Sequence, residues 1–169
     1  ATSREVSRFL VDLFELADQA KGRGDTITAR EILERGAKRV SRELADQPLT
    51  QARLMDTIGV VYLKLGLLGK AEPLIRSALD TRKQLLGEQH VDYAASLASA
   101  GVLATREKDY PRAEKLLGQA LSIQEDSTGS KSPEVAVVLG HLAALLKEQG
   151  RFAEARPLEE RVATILHQA

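Results

Sequence analysis

The chain has 169 residues, with 24 lysines and arginines against 24 aspartates and glutamates, so its formal net charge is zero. That balance argues against a nucleic-acid-binding domain, which carries a basic excess, and against polybasic attachment to a membrane surface. Without cysteine there is no disulfide framework, thiol nucleophile or Cys-based zinc site, and no apolar run reaches the ~18 residues a spanning helix needs.

Leucine and alanine together exceed a quarter of the chain, and aromatic residues make up only 4%. Helix formers dominate, which predicts an all-α fold. The first helix is expected over about 3–21, with Leu13, Leu16, Ala17 and Ala20 on one face. A second, over 27–45, presents Ala29, Ile32 and Leu33; Thr26 or Thr28 can cap it, and Thr28 stands at capping-box spacing from Glu31. The third, over 50–65, places Met55, Ile58, Gly59 and Tyr62 together, and Gly66 ends it. The fourth, over 68–86, carries Ala71, Leu74, Ile75 and Ala78. His90 is expected in a linker, helping to cap a fifth helix over 91–107 with Leu97, Ala100, Gly101 and Ala104. Asp109 caps a sixth over 110–126 with Ala113, Leu116, Leu117 and Ala120. Ser132, Pro133 and Glu134 form a start signal for a seventh over 133–149, and an eighth follows over 152–167. Arg30, Glu34, Arg35, Arg76, Arg82 and Lys83 read as solvated helix faces.

The helices repeat in pairs. A shift of 42 residues aligns Ala29, Ala71, Ala113 and Ala155, and likewise Leu74, Leu116 and Leu158. Gly59 falls on Gly101, Gly87 on Gly129, and Gly24, Gly66 and Gly150 share a register. Such a period marks a solenoid of helical hairpins. One domain over 1–169 is expected, with repeats at about 3–46, 50–87, 91–129 and 133–168. Small residues at Ala17, Gly59, Gly101 and Ala143 let the partner helix of each hairpin approach closely. Ala1 to Glu5 carry neither an initiator Met nor the apolar core of a signal peptide, which suggests an excised or processed domain.

Met55, Ile58-Gly59, Tyr62, Ala71 and Ile75 follow the bulky–Leu-Gly–Tyr–Ala–aromatic order of the tetratricopeptide repeat, and the chain resembles that family along nearly its whole length. The 42-residue period and the linkers Leu86-Gly87-Glu88-Gln89-His90 and Ser132-Pro133-Glu134-Val135-Ala136 resemble the kinesin-light-chain-like branch. The segments Val6–Glu15 and Gly24–Leu33 resemble the repeat region of bacterial receptor-like Ser/Thr kinases, although no kinase motif is present. The resemblance implies a right-handed α-solenoid of about four hairpins. It also implies a concave groove that binds a protein or peptide partner, as the docking or sensing part of a larger signalling protein. By register the groove residues would be Phe14, Arg53, Asp56, Val60, Leu63, Lys64, Ala98, Val102, Arg106, Val137 and Lys147.

Two departures shape that expectation. The lysine–asparagine carboxylate clamp of chaperone-binding repeats is missing: Val60 and Ala98 stand in its places. The Asn-Asn pairs of the kinesin-light-chain branch are replaced by Asp56-Thr57, Ala98-Ser99 and Gly140-His141. An apolar helix or loop with acidic flanks suits such a groove better than a backbone-clamped extended peptide. Self-association through apolar solenoid ends is the alternative, drawn from Phe9, Leu10, Val11, Leu13 and Phe14 at one end and Val162, Ile165 and Leu166 at the other.

Catalysis is not expected. His90, His141 and His167 lie in three different contexts and do not converge as metal ligands. Gly66-Leu67-Leu68-Gly69-Lys70-Ala71 lacks the first glycine and the Ser or Thr of a phosphate loop. Arg23-Gly24-Asp25 reads as a hairpin turn. No nucleophile–base pair can be named, and no cofactor or metal is expected. Neither nucleic acid nor direct membrane contact is expected either. The compartment is open: cytoplasmic is favoured, or extracytoplasmic should the domain follow a membrane span in a receptor kinase.

Overall fold

The computed structural model describes residues 28–168. Within them the chain forms seven helices: α1 (Ala29–Glu43), α2 (Pro48–Lys64), α3 (Leu68–Leu86), α4 (Val91–Arg106), α5 (Tyr110–Thr128), α6 (Pro133–Glu148) and α7 (Phe152–Gln168). There is no strand among the described residues. The helix expected over 3–21, with Phe14, lies outside them. Most predicted bounds agree to within a residue or two.

Local chemistry explains the boundaries. Thr28 caps α1 in a full capping box, its hydroxyl accepting from the Glu31 N–H at 3.3 Å while the Glu31 carboxylate accepts from the Thr28 N–H at 2.9 Å. Pro48 starts α2 at a position whose N–H would have no helical partner. The Nδ1 atom of His90 accepts from the Asp92 N–H at 3.1 Å and caps α4, the role its linker position implied. Asp109 and Ser132 cap α5 and α6 through the N–H groups of Arg112 and Val135, at 3.3 and 3.2 Å.

Among the described residues the turns inside the three hairpins are built alike. The N–H groups of Gly66 and Leu67 donate back to Leu63 and Tyr62, those of Lys108 and Asp109 to Thr105 and Ala104, and those of Gly150 and Arg151 to Lys147 and Leu146. This pair of bonds is the Schellman closure, and it needs a left-handed residue at its pivot. Gly66 (φ 73°) and Gly150 (φ 76°) supply it without strain, whereas Lys108 adopts φ 63° in the same register.

The core is a chain of small clusters rather than one centre. Tyr62, Ile58, Ile75 and Ala78 pack with Ala100 and Leu103 of the following hairpin, and Leu97, Leu117 and Ala120 pack with Val138 and Leu145 of the next. Each hairpin thus buries its apolar faces within itself and against its neighbour, as a solenoid requires. The close approaches are real: a methyl on Gly59 would fall 2.7 Å from Cγ1 of Ile75, and one on Gly101 2.6 Å from Cγ of Leu117. Polar bridges add to the last junction, where Arg151 pairs with Glu114, Arg161 pairs with Glu125, and Gln149 donates to Glu114 at 3.0 Å. The first helices of successive hairpins, α2, α4 and α6, also touch one another directly and form an inner layer.

Candidate partner-binding groove

Helical periodicity sets what the inner layer presents. Counting by 42 residues, the rows facing outward from α2, α4 and α6 are Thr57/Ser99/His141, Val60/Val102/Ala144 and Lys64/Arg106/Glu148. Apart from Thr57, the structure brings these rows together around a cleft of about 220 Å³, lined by Val60, Leu63, Lys64, Ser99, Val102, Thr105, Arg106, His141, Ala144 and Glu148. Its floor is aliphatic. The hydroxyls of Thr105 and Ser99 donate to the carbonyls of Gly101 (2.9 Å) and Ala95 (3.3 Å) of their own helix, so their hydrogen-bonding capacity is partly spent. His141 is half-buried, and burial holds its imidazole below the usual histidine range, so the ring is neutral at neutral pH.

Charge is confined to the rim. Lys64 and Arg106 are the last residues of α2 and α4, where the negative end of the helix dipole favours a cation. Neither has an ion-pair partner among the described residues, and both are exposed. Glu148 takes the same place on α6 and reverses the sign along the rim.

Of the residues expected in the groove, Val60, Leu63, Lys64, Val102 and Arg106 line this cleft. Arg53 is exposed and lies 3.8 Å from the Asp92 carboxylate on α4; Val137 is exposed near the start of α6. Lys147 is exposed, but its ammonium pairs with Glu159 of α7 at 2.9 Å. Ala98 is buried in the core cluster around Leu97 and Leu117. Phe14 is outside the described residues. Ser99, Thr105, His141, Ala144 and Glu148 line the cleft beyond that set. For Thr105, Ala144 and Glu148 the signal was in the register, one or two periods from Leu63, Val60 and Lys64.

Asp56 and Arg82 require a correction. Asp56 does not face the groove as an exposed carboxylate, and Arg82 is not on a solvated face. The two form an ion pair at 3.0 Å, with side chains 12% and 6% exposed. The same nitrogen of Arg82, Nη1, also donates to the Ser96 hydroxyl on α4 at 2.6 Å. Burial pushes the Asp56 carboxyl above its usual range despite the Arg82 charge beside it and the hydroxyl of Ser99, both of which lower it. Its Oδ1 atom is buried without a hydrogen-bond partner. The long arginine stem lets Arg82 cross from the outer helix to the inner layer, an outcome that sequence spacing alone does not show.

Hairpins in a 42-residue register, small residues at the crossings and a shared Schellman turn define a tetratricopeptide-type solenoid. The tetratricopeptide repeat model matches residues 50–126 and 95–167, and the chain belongs to that family. No curated protein is a significant match. Among solved structures the chain is similar to BtubC (BKLC) from P. vanneervenii, with 25% identity and a TM-score of 0.64 over 82% of this chain and 55% of that one. The chain therefore spans little more than half the length of that neighbour. Two structures of a Podosopora anserina putative kinesin light chain with nearly identical TPR-like repeats share its fold at 22% identity. Their TM-scores are 0.68 for a singly substituted form and 0.65 for the other, over 94% of this chain and 75% of each of theirs. Proteins of this fold are typically non-catalytic scaffolds that mediate protein–protein interaction. No helix among the described residues is long and apolar enough to cross a membrane.

Proposed function

We propose that this chain is a docking module that holds an apolar segment of a partner protein in the cleft across α2, α4 and α6. One observation carries the reading: an aliphatic floor of Val60, Leu63, Val102 and Ala144 lies open beneath two cationic side chains, Lys64 and Arg106, that have no counter-ion among the described residues. An apolar helix or loop would fill the floor, and an acidic flank would meet the two cations. The volume suits one or two anchoring side chains rather than a small-molecule ligand, whose pockets span roughly 300–1,000 Å³. As the resemblance of the N-terminal segment implies, the module would serve as the docking or sensing part of a larger signalling protein.

The test is selection from a random-peptide display library, followed by affinity measurement on wild type and Val102→Glu. Val102 is partly buried and packs against the core, so the variant's melting temperature is measured beside its affinity, and a folded variant carries a charge on the floor. Peptides retained by wild type and lost by the variant support the groove. Peptides held equally by both, or no selected peptide at all, refute it.

Self-association is a second reading, favoured by two apolar residues on α7, Phe152 at 65% and Leu166 at 60% exposure. Their register equivalents one period earlier, Tyr110 and Gln124, are half-buried and buried. Solution mass that rises with concentration, and ceases to rise in Phe152→Ser/Leu166→Ser, would support it; a constant mass would sink it.

A further inference from the structure

Arg82 and Asp56 are the two buried charged side chains among the described residues. Together with Ser96 they tie three helices at one point: Asp56 on α2, Arg82 on α3 and Ser96 on α4. The repeat itself does not call for this. One period on from Asp56 stands Ala98, one on from Ser96 stands Val138, and Arg82 is flanked in register by Val40 and Gln124. Gln124 makes no bridge to the following hairpin; its amide donates back to the Val91 carbonyl at 3.4 Å, and its oxygen is buried without a partner. The fold therefore forms the equivalent junction without the triad.

A buried ion pair is a weak source of stability, because desolvating both charges offsets most of their attraction. What such a pair supplies is direction. Apolar side chains pack at a range of offsets, whereas a guanidinium nitrogen bound to two fixed acceptors sets one spacing between them. The helices it ties are those whose next turns carry the cleft: Val60 and Leu63 follow Asp56 on α2, and Ser99 and Val102 follow Ser96 on α4.

We propose that Arg82 is a positioning residue for the groove, a crossbar that fixes the spacing of α2 and α4 at one of the two junctions the cleft spans. It touches no partner and acts through Asp56 and Ser96. Its consequence for binding rests on the groove reading above, but the crossbar can be measured without any partner. The chain has no cysteine, so spin labels can be placed at will. Leu49→Cys on α2 and Val137→Cys on α6 are exposed sites outside both the triad and the cleft. The distance distribution between them is compared in three backgrounds: the parent, the apolar triad Asp56→Leu/Arg82→Met/Ser96→Ala, and Arg82→Lys.

The apolar triad is expected to melt at or above the parent temperature while its distance distribution broadens. Arg82→Lys, whose shorter side chain leaves its ammonium short of the point where Nη1 meets both acceptors, is expected to broaden it less. If about one molecule in ten retains the binding spacing, peptide affinity falls about tenfold. A distribution in the apolar triad as narrow as the parent's, at the same mean, overturns the crossbar. Should that triple variant fail to fold, Arg82→Lys decides: an unchanged distribution overturns the inference, and a broadened one with an unchanged melting temperature supports it. Peptide binding that is sensitive to Val102→Glu with an unaltered distribution in the apolar triad sinks the crossbar and leaves the groove. Binding insensitive to Val102→Glu sinks the groove and leaves the crossbar to the distances.

Discussion

Gly101 offers the sharpest test of the packing, because Gly118 supplies its control. Both lie within helices, Gly101 on α4 and Gly118 on α5, and both gain roughly 1 kcal/mol of intrinsic helix stability on replacement by alanine. They differ in what the new methyl meets. At Gly118 there is nothing within 4 Å. At Gly101 the methyl lands 2.6 Å from Cγ and 2.8 Å from Cδ2 of Leu117, well inside contact distance. Leu117 is fully buried, and the clash falls on its branch point rather than on a free tip, so relief requires the whole side chain or the helix to shift. Overpacking of this kind costs about 1–3 kcal/mol. The propensity term cancels between the two variants, so Gly101→Ala should fall below Gly118→Ala by that whole amount. At about 2–4 °C per kcal/mol for a chain of this size, the melting temperatures should differ by roughly 2–12 °C. Thermal unfolding followed by circular dichroism at neutral pH measures it. A double-mutant cycle with Leu117→Ala adds a check, since removing the clashing carbons should make the pair less harmful than the sum of its parts. Equal melting of Gly101→Ala and Gly118→Ala would refute the claim that the α4–α5 crossing depends on a bare glycine.

Lys108→Gly should stabilise the chain by about 1 kcal/mol, because a left-handed lysine costs roughly 1–2 kcal/mol and the added backbone freedom of glycine gives part of that back; denaturant midpoints with an unchanged slope would show it. Ser132→Ala should destabilise by about 1 kcal/mol through loss of the α6 cap, read from the same titration. Asp56→Asn should melt at or above wild type at pH 7, since burial raises the Asp56 carboxyl above its usual range and the native state disfavours its charge. A raised carboxyl contributes most below its unfolded pKa of about 4 and less as pH climbs through the folded value, so the variant's advantage should shrink on acidification. A variant clearly less stable than wild type at pH 7 would mean that the attraction to Arg82 outweighs burial. His141 runs the other way: burial lowers its pKa, so its contribution is present above about pH 6.5 and lost as pH falls through the lower folded value. His141→Gln should flatten that limb of a melting profile.

The fold was legible because one signal recurs. Ala71, Ala113 and Ala155 are all fully or almost fully buried, and the glycines at 59 and 101 meet Ile75 and Leu117 as their spacing implied. The caps at Thr28, His90, Asp109 and Ser132 needed only local sequence, since each bond closes within three residues. Lys108 was harder: its turn is glycine-built in the hairpins before and after it, and nothing local in Arg106-Glu107-Lys108-Asp109 announces a left-handed pivot. The groove was half legible. Register placed Val60, Val102 and Arg106 on the inner face, but it could not tell a residue that lines the cleft from one such as Ala98, which the neighbouring helix covers. In sequence Arg82 looks like any other charged residue on a helix, and Arg76 and Lys83, which share that reading, are indeed exposed. The burial of Arg82 depends on Asp56, 26 residues away, a pairing without local trace.

These misreadings share a cause, and it bears on where function lies in a repeat. Positions that obey the 42-residue period are explained by the period: they close hairpins and stack them, and any copy would serve. A partner cannot be recognised by what every repeat has in common unless it too repeats. The positions that break the period carry the individuality of this chain: the sign change from Lys64 and Arg106 to Glu148, the row Thr57/Ser99/His141, and Asp56 with Arg82 and Ser96 where the next repeat has Ala98, Gln124 and Val138. All fall on or beside the junctions beneath one cleft. A buried ion pair that the next junction does without gives the fold little, so its value has to be sought in the geometry it imposes on the surface above it. That is the reason to test Arg82 by distance and binding rather than by stability alone.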